Sequence, residues 1–135
     1  MFGFNGLSLK KKKIMEKSKC PNWEIFLDDI LSKSEKAKIK IAVKSIDTCL
    51  PVRLIFYGVG PSGKSLTERI INDALDLPDN GFILTSNDLN NCRDHANCPC
   101  LIVYFDRYIP QLRRNPNLYQ LLATELPAIK EWLIN

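Results

Sequence analysis

The sequence predicts an α/β fold in which a parallel sheet is flanked by helices, in a version of reduced size. Two apolar runs, at residues 54–57 and 101–105, lack the alternating polar side chains of a half-exposed strand. Such runs are typical of parallel strands that are buried on both faces, so we expect both to lie at the centre of the sheet. Helical patterns precede, separate and follow them. The 135 residues correspond in size to one domain with a single core.

The segment directly after the first run is rich in glycine. Residues 58–65, Gly-Val-Gly-Pro-Ser-Gly-Lys-Ser, match the pattern G-x-x-x-x-G-K-[ST] of a phosphate-binding P-loop at every position. Gly58 and Gly63 allow backbone angles closed to other residues and leave the amides accessible to a phosphate. A helix that begins near Lys64 would point its amides and its positive dipole end at the same place. A glycine-rich turn without a ligand is the alternative interpretation.

The loop predicts a site for ATP and Mg²⁺. Lys64 is expected to reach the β- and γ-phosphates, and the hydroxyl group of Ser65 is expected to bind the metal. The residues predicted to bind the nucleotide are Gly58, Gly60, Pro61, Ser62, Gly63, Lys64, Ser65 and Leu66.

A carboxylate stands at the end of the second apolar run. In P-loop NTPases an acid at the end of a neighbouring strand orients Mg²⁺ and water, so Asp106 is predicted to be the second metal ligand and, with Lys64, a catalytic residue. A helix cap at the end of the strand is the alternative role for Asp106.

Positive charge is concentrated in the first part of the chain. Residues 1–50 hold eleven Lys or Arg against six Asp or Glu, a balance of +5, whereas residues 51–135 have a balance of −1. Lys10–Lys13, Lys17 and Lys19 predict a flexible basic arm over residues 1–20, and residues 21–135 predict one nucleotide-binding domain. Such an arm is either a solvated tail, a nuclear address or a surface for single- or double-stranded DNA.

The remaining elements follow from periodicity and turn chemistry. Helical spacing predicts helices at residues 23–31, capped by Asn22, and at residues 39–46. A short strand is expected at residues 82–84, and a terminal helix is expected from Asn117 with Leu118, Leu121, Leu122 and Leu126 on its apolar face. Pro127 is expected to open a last turn that carries Ile129, Trp132 and Leu133.

Five cysteines and one histidine provide no disulfide framework. Cys92, His95, Cys98 and Cys100 have zinc-ligand chemistry, but their spacing is too crowded for an ordinary knuckle, and we expect buried thiols and a surface histidine instead. No apolar stretch approaches the ~20 residues of a membrane helix and no signal peptide is evident, so an intracellular protein without a membrane partner is expected.

Residues 56–65 resemble the P-loop of superfamily 3 helicases, the replication ATPases of small DNA viruses. Residues 85–94 and 101–106 look like the segment that leads into the second acidic motif of parvovirus-type non-structural proteins. The resemblance covers about residues 50–107 and implies a helicase-type ATP hydrolase that acts on DNA in viral or mobile-element replication. It also implies a homo-oligomer located in the host nucleus or cytoplasm.

Two departures from that family predict a reduced version with slow hydrolysis. Arg107 stands where such helicases carry a second acid, and too few residues remain for a later sensor strand and arginine finger. Two alternatives remain open at this stage. One is a small nucleoside or metabolite kinase in which Arg93, Arg107, Arg113 or Arg114 clamps phosphate. The other is a nucleotide-binding interaction module that does not hydrolyse.

Overall fold

The computed structural model describes residues 9–79, 81–88, 99–107 and 116–135. Within these residues the helices are α1 (Leu9–Lys17), α2 (Pro21–Ile30), α3 (Lys33–Ser45), α4 (Lys64–Leu75), α5 (Leu118–Ala123) and α6 (Leu126–Ile134). The strands are β1 (Arg53–Tyr57), β2 (Ile83–Ser86) and β3 (Cys100–Tyr104). The predicted α/β class, with a small parallel sheet flanked by helices, is confirmed.

The sheet has the strand order β2-β1-β3, and both pairings are parallel. Leu54 is in register with Ile83 on one side and with Leu101 on the other. Three consecutive residues of β1, Leu54 to Phe56, are buried, which requires cover on both faces of the sheet. Because all strands run in one direction, their carboxyl ends meet at one edge of the sheet.

The second apolar run does not lie at the centre of the sheet, so that prediction was wrong. In the described part of the chain, β3 is an edge strand, and α3 covers its outer side. The amide of Tyr104 donates to the Glu35 carboxylate at 2.9 Å, and the Lys38 ammonium group donates to the Ile102 carbonyl at 2.9 Å. These two side chains, ion-paired with each other at 3.0 Å, satisfy backbone groups that a further strand would otherwise pair. Only Val103 in β3 and Phe105 directly after it are buried, and Tyr104 is 41% exposed, so this run is not buried on both faces as predicted.

Helix α2 forms much of the core, as its helical spacing predicts. Trp23, Phe26, Leu27 and Ile30 are buried. The expected cap at Asn22 was wrong, because α2 begins at Pro21 and Cys20 takes the cap position without a side-chain hydrogen bond. The acceptor is instead Glu125. Its carboxylate accepts hydrogen bonds from the backbone amides of Asn22 at 3.2 Å and Trp23 at 3.0 Å. The Asn22 side-chain amide also donates to it, at 2.9 Å.

The terminal region consists of two helices, α5 and α6, and the second begins beside Pro127, where a last turn was predicted. Pro127 has no amide hydrogen to donate to the carbonyl of Ala123, which favours a break between the two helices. Leu122, Ile129 and Leu133 are buried, as predicted, whereas Leu121 is 44% exposed. The second strand also starts one residue later than predicted and continues to Ser86.

The lysine-rich segment at the start of the described chain forms α1, which contacts α2. Lys10 pairs with Asp28 at 3.3 Å, and Lys11 pairs with Asp29 at 3.0 Å. The division of the chain into an arm over residues 1–20 and a domain over residues 21–135 stays a prediction. Among the described residues, no helix combines the length and the apolarity that crossing a bilayer requires.

We predict that Glu125→Ala lowers the free energy of unfolding by about 1–3 kcal/mol, since the Asn22 and Trp23 amides at the start of α2 lose their acceptor. The measurement is urea denaturation followed by circular dichroism. Glu131→Ala is the control, because the Glu131 side chain is 62% exposed and pairs only with Lys19 at the surface, at 3.8 Å. Equal losses in the two variants would show that Glu125 does not cap α2.

Candidate functional site

The predicted phosphate-binding loop connects β1 to α4 at the carboxyl edge of the sheet. Gly58 continues the pairing of β1, since its amide donates to the Ser86 carbonyl at 3.2 Å. A Cβ atom at this position would lie 2.3 Å from the Phe105 carbonyl oxygen. Gly58 is therefore required by the close approach of two strand ends, a reason that the sequence pattern does not reveal.

Two further glycines give the loop its shape. Gly60 has φ +76° and Gly63 has φ +90°, both in the left-handed region that favours glycine. Gly63 is also the N-cap of α4, and no side chain caps the helix there. The amides of the first turn, which have no acceptor within a helix, are therefore left to an external acceptor such as a phosphate oxygen.

Lys64 folds back over the loop. Its ammonium group donates to the Ser62 hydroxyl at 3.2 Å and to the Gly60 carbonyl at 3.4 Å. Both distances are long for such bonds, and partial burial lowers the pKa of Lys64. The cation is thus held by weak neutral acceptors and has no described carboxylate partner, an arrangement that favours exchange of these acceptors for an anion.

The other predicted loop residues surround the same concavity, which has a volume of about 210 Å³ and is lined by residues 60–66. Ser62 is buried, whereas Ser65 is exposed at the start of α4. Leu66 packs against the core. The concavity has the size of a phosphate group with its surroundings and is smaller than the ~300 Å³ of a pocket for a whole organic ligand.

The predicted acid lies at the same edge of the sheet. Phe105 still pairs with β1, since its amide donates to the Tyr57 carbonyl at 2.7 Å. Asp106 follows directly and is exposed. Asp106 therefore lies beside the strand end from which the loop starts, and its role as a metal ligand stays a prediction.

No three Asp, Glu, His or Cys side chains converge on a metal position within the described ranges. Such a cluster is not needed for Mg²⁺ in a nucleotide site, where one or two protein oxygens are supplemented by phosphates and water. Ser65 and Asp106 have the right donor chemistry for that arrangement.

Arg107, next to the acid, has a structural partner. Its guanidinium group donates to the carbonyl oxygens of Asp28 at 2.9 Å and Asp29 at 3.2 Å, at the end of α2. It thereby satisfies carbonyl groups that the helix leaves open and places a positive charge at the negative end of the helix dipole. Of the arginines considered for a phosphate clamp, Arg93, Arg113 and Arg114 lie outside the described residues.

Two polar residues follow β2 next to the loop. Since β2 pairs with β1, Asn87 and Asp88 lie at the same carboxyl edge, where both are exposed. The Ser86 hydroxyl donates to the Asp88 carbonyl and accepts the Asp88 amide, each at 3.0 Å, and this turn fixes the course of the backbone. Glu68, by contrast, borders a separate hollow together with Arg69, Asp73 and Asp79. Burial and the charge of Asp79 raise the pKa of Glu68.

The loop also packs against α2, a contact that the sequence does not predict. A Cβ atom at Gly63 would meet Ile30 Cδ1 at 3.0 Å and Phe26 Cζ at 3.3 Å, so the loop rests on α2. The periodicity of α2 indicates that these side chains are buried, but no signal in a single sequence connects them with a glycine more than thirty residues later.

The cysteines in the described part of the chain are free thiols, with Cys20 buried and Cys49 exposed. Burial raises the pKa of Cys20 to about 11, so its thiol stays protonated at neutral pH. Cys92, His95 and Cys98 of the zinc hypothesis lie outside the described residues, and Cys100 is half-buried in β3.

The relationships of the chain to known proteins add no further constraint on this geometry. No protein-family model matches the sequence, and no curated protein or solved structure is significantly similar to it.

Proposed function

We propose that the chain binds ATP with Mg²⁺ at the loop between β1 and α4, as a reduced helicase-type ATPase domain that acts on DNA. The observation that carries this proposal is the glycine N-cap of α4. Gly63 adopts a left-handed conformation at the end of the loop that follows the central strand β1. The Lys64 side chain folds over that loop. Together they provide uncapped helix amides and a weakly held cation around one concavity.

Different residues have different roles in binding. Lys64 exchanges its contacts with Gly60 and Ser62 for phosphate oxygens, which form stronger, charge-assisted hydrogen bonds. The Ser65 hydroxyl and the Asp106 carboxylate are the protein groups that would hold Mg²⁺, directly or through water. When bound, the metal ion neutralises phosphate charge.

Arg107 favours binding with slow hydrolysis over rapid turnover. Hydrolysis needs a polar group that positions and activates water, and a guanidinium group bonded to the end of α2 does not provide a base. Asn87 and Asp88 are the described polar groups at the adjacent strand end, and a second copy of the chain is another source. The non-hydrolysing module of the sequence analysis is therefore the second candidate function.

We predict that Lys64→Ala weakens Mg²⁺–ATP binding at least tenfold, because the loop loses its cation. Isothermal titration calorimetry measures the affinity, and circular dichroism checks that the fold is retained. Lys44→Ala is the control, since it removes an equal charge from an exposed position on α3, outside the loop. ATP affinity that is unchanged in Lys64→Ala would refute the site.

We predict that the wild-type chain hydrolyses ATP more slowly than the ~1 s⁻¹ at the low end of ordinary enzyme turnover. Asp106→Asn is expected to weaken Mg²⁺-dependent binding more than it lowers this turnover, because the carboxylate serves mainly as a metal ligand. Steady-state phosphate release with and without single-stranded DNA, and calorimetry with and without Mg²⁺, test this prediction.

Three outcomes separate the candidate functions. Turnover stimulated by DNA supports the helicase type, and binding without turnover supports the module. Phosphoryl transfer to an added nucleoside would contradict both and indicate a kinase.

A further inference from the structure

The end of α2 touches the nucleotide loop through its apolar side chains. Ile30 and Phe26 approach Gly63 so closely that a Cβ atom there would lie 3.0 Å from one and 3.3 Å from the other. The left-handed backbone of Gly63 is therefore supported from below by α2. A shift of this helix would change the packing contacts of the loop.

The same turn of α2 is also connected to the other half of the site. The carbonyl oxygens of Asp28 and Asp29 accept hydrogen bonds from Arg107, the residue that follows Asp106. One helical turn thus contacts both the loop and the chain that carries the candidate metal ligand.

The carboxylates of this turn hold α1 in place. Lys10 pairs with Asp28 at 3.3 Å, and Lys11 pairs with Asp29 at 3.0 Å. Lys36 of α3 contacts Asp28 as well. Partial burial of Asp28 acts to raise its pKa, but the hydrogen bonds and charges of Lys36 and Lys10 hold the pKa below its usual range.

These ion pairs are accessible to solvent and to competing anions. Each pair has one well-exposed partner: the side chain of Lys10 is 74% exposed and that of Asp29 is 50% exposed, whereas Asp28 is 12% and Lys11 is 31% exposed. Exposed pairs contribute little and are screened by salt. A polyanion that offers several phosphates at once can therefore bind these lysines in place of the aspartates.

The outer face of α1 has the pattern for such a partner. Lys10, Lys13 and Lys17 recur at positions i, i+3 and i+7, which lie on one side of a helix, and all three are exposed. The apolar residues of α1 are limited to Leu9, Ile14 and Met15, which is too little surface for insertion into a membrane interface. A row of ammonium groups without an apolar face fits the sugar-phosphate backbone of a nucleic acid.

We propose that α1 binds the phosphate backbone of DNA in competition with Asp28 and Asp29, and that DNA bound there weakens nucleotide binding at the loop. The first half stands on α1 and α2 alone, and the second half rests on the proposed nucleotide site. When DNA takes Lys10 and Lys11, the turn of α2 that contacts Gly63 and Arg107 loses two of its ion pairs. The loop then loses part of the packing that preorganises it for the nucleotide. DNA binding and nucleotide binding therefore weaken each other.

The first experiment measures a fluorescent thymidine oligonucleotide binding to the full chain by anisotropy, without nucleotide. Lys13→Ala combined with Lys17→Ala is expected to weaken binding at least tenfold and to flatten its salt dependence. Lys44→Ala combined with Lys130→Ala is the matched control, since it removes the same charge from α3 and α6. Equal losses in both pairs, or equally strong binding to vesicles of anionic lipid, would overturn the α1 surface.

The second experiment tests the competition. Asp29→Asn removes the partner of Lys11 and is expected to tighten oligonucleotide binding at least threefold relative to Asp47→Asn. Both substitutions remove one negative charge, but Asp47 is an exposed residue beyond α3 that lies outside this network. Equal affinities in the two variants would show that the carboxylate does not restrain α1.

The third measurement concerns coupling. In the wild-type chain, saturating oligonucleotide is expected to weaken Mg²⁺–ATP affinity about fivefold, and by linkage ATP weakens oligonucleotide binding by the same factor. In Asp29→Asn this factor should fall toward one. An unchanged factor in Asp29→Asn would show mere repulsion between two anions and overturn the coupling. A chain that binds the oligonucleotide but no ATP would refute the proposed function and the coupling, while the first two experiments would still decide the α1 surface.

Discussion

The pairing of β1 with a parallel strand on each side is the constraint on which the site depends. It brings three chain segments to one edge of the sheet: the loop after Tyr57, the turn after Ser86 and the carboxylate after Phe105. The approach is so close that the Phe105 carbonyl occupies the space where residue 58 would have a Cβ atom. A side chain there would force the strand ends apart and separate the loop from Asp106. Gly58 is thus required by the close approach of the strand ends, independently of any ligand.

Backbone groups at the outer edge of β3 and at both ends of α2 have no partner within their own element, and side chains from distant segments satisfy them. Glu35 and Lys38 cover the outer edge of β3, and Glu125 caps the start of α2. Arg107 completes the set at the end of α2. A buried polar group without a partner costs about 1–3 kcal/mol, a large part of the stability of a small domain. These side chains therefore hold the helices in place around a core that is small for this class.

Local patterns in the sequence were sufficient to predict β1, the loop and α4. Their apolar run and glycines are contiguous, and the helix begins at Lys64, where the pattern predicts it. The edge position of β3 was not predictable in this way. Its unbroken apolar run predicts burial on both faces, but only Val103 of the strand is buried, and the outer edge is covered by Glu35 and Lys38, more than sixty residues earlier.

The candidate site shows the same division between local and distant information. The P-loop spacing predicts which residues line the concavity, and the structure places residues 60–66 around it. The support of Gly63 by α2 and the partner of Arg107 depend on the packing of distant segments, which a single sequence does not encode in any recognisable pattern.

The position of Arg107 connects the stability of the fold with the chemistry of the site. A second acid at this position would lie near the Asp28 and Asp29 carbonyls, at the negative end of α2, where a negative charge is destabilising. An arginine at the same position stabilises that helix end and secures the helix that supports the loop. Packing α2 against the loop therefore selects a cation at residue 107 and moves any water-activating group to another strand end or another chain. The same turn of α2 thus contacts both the loop and the residue that follows Asp106, which are the two parts of the candidate site.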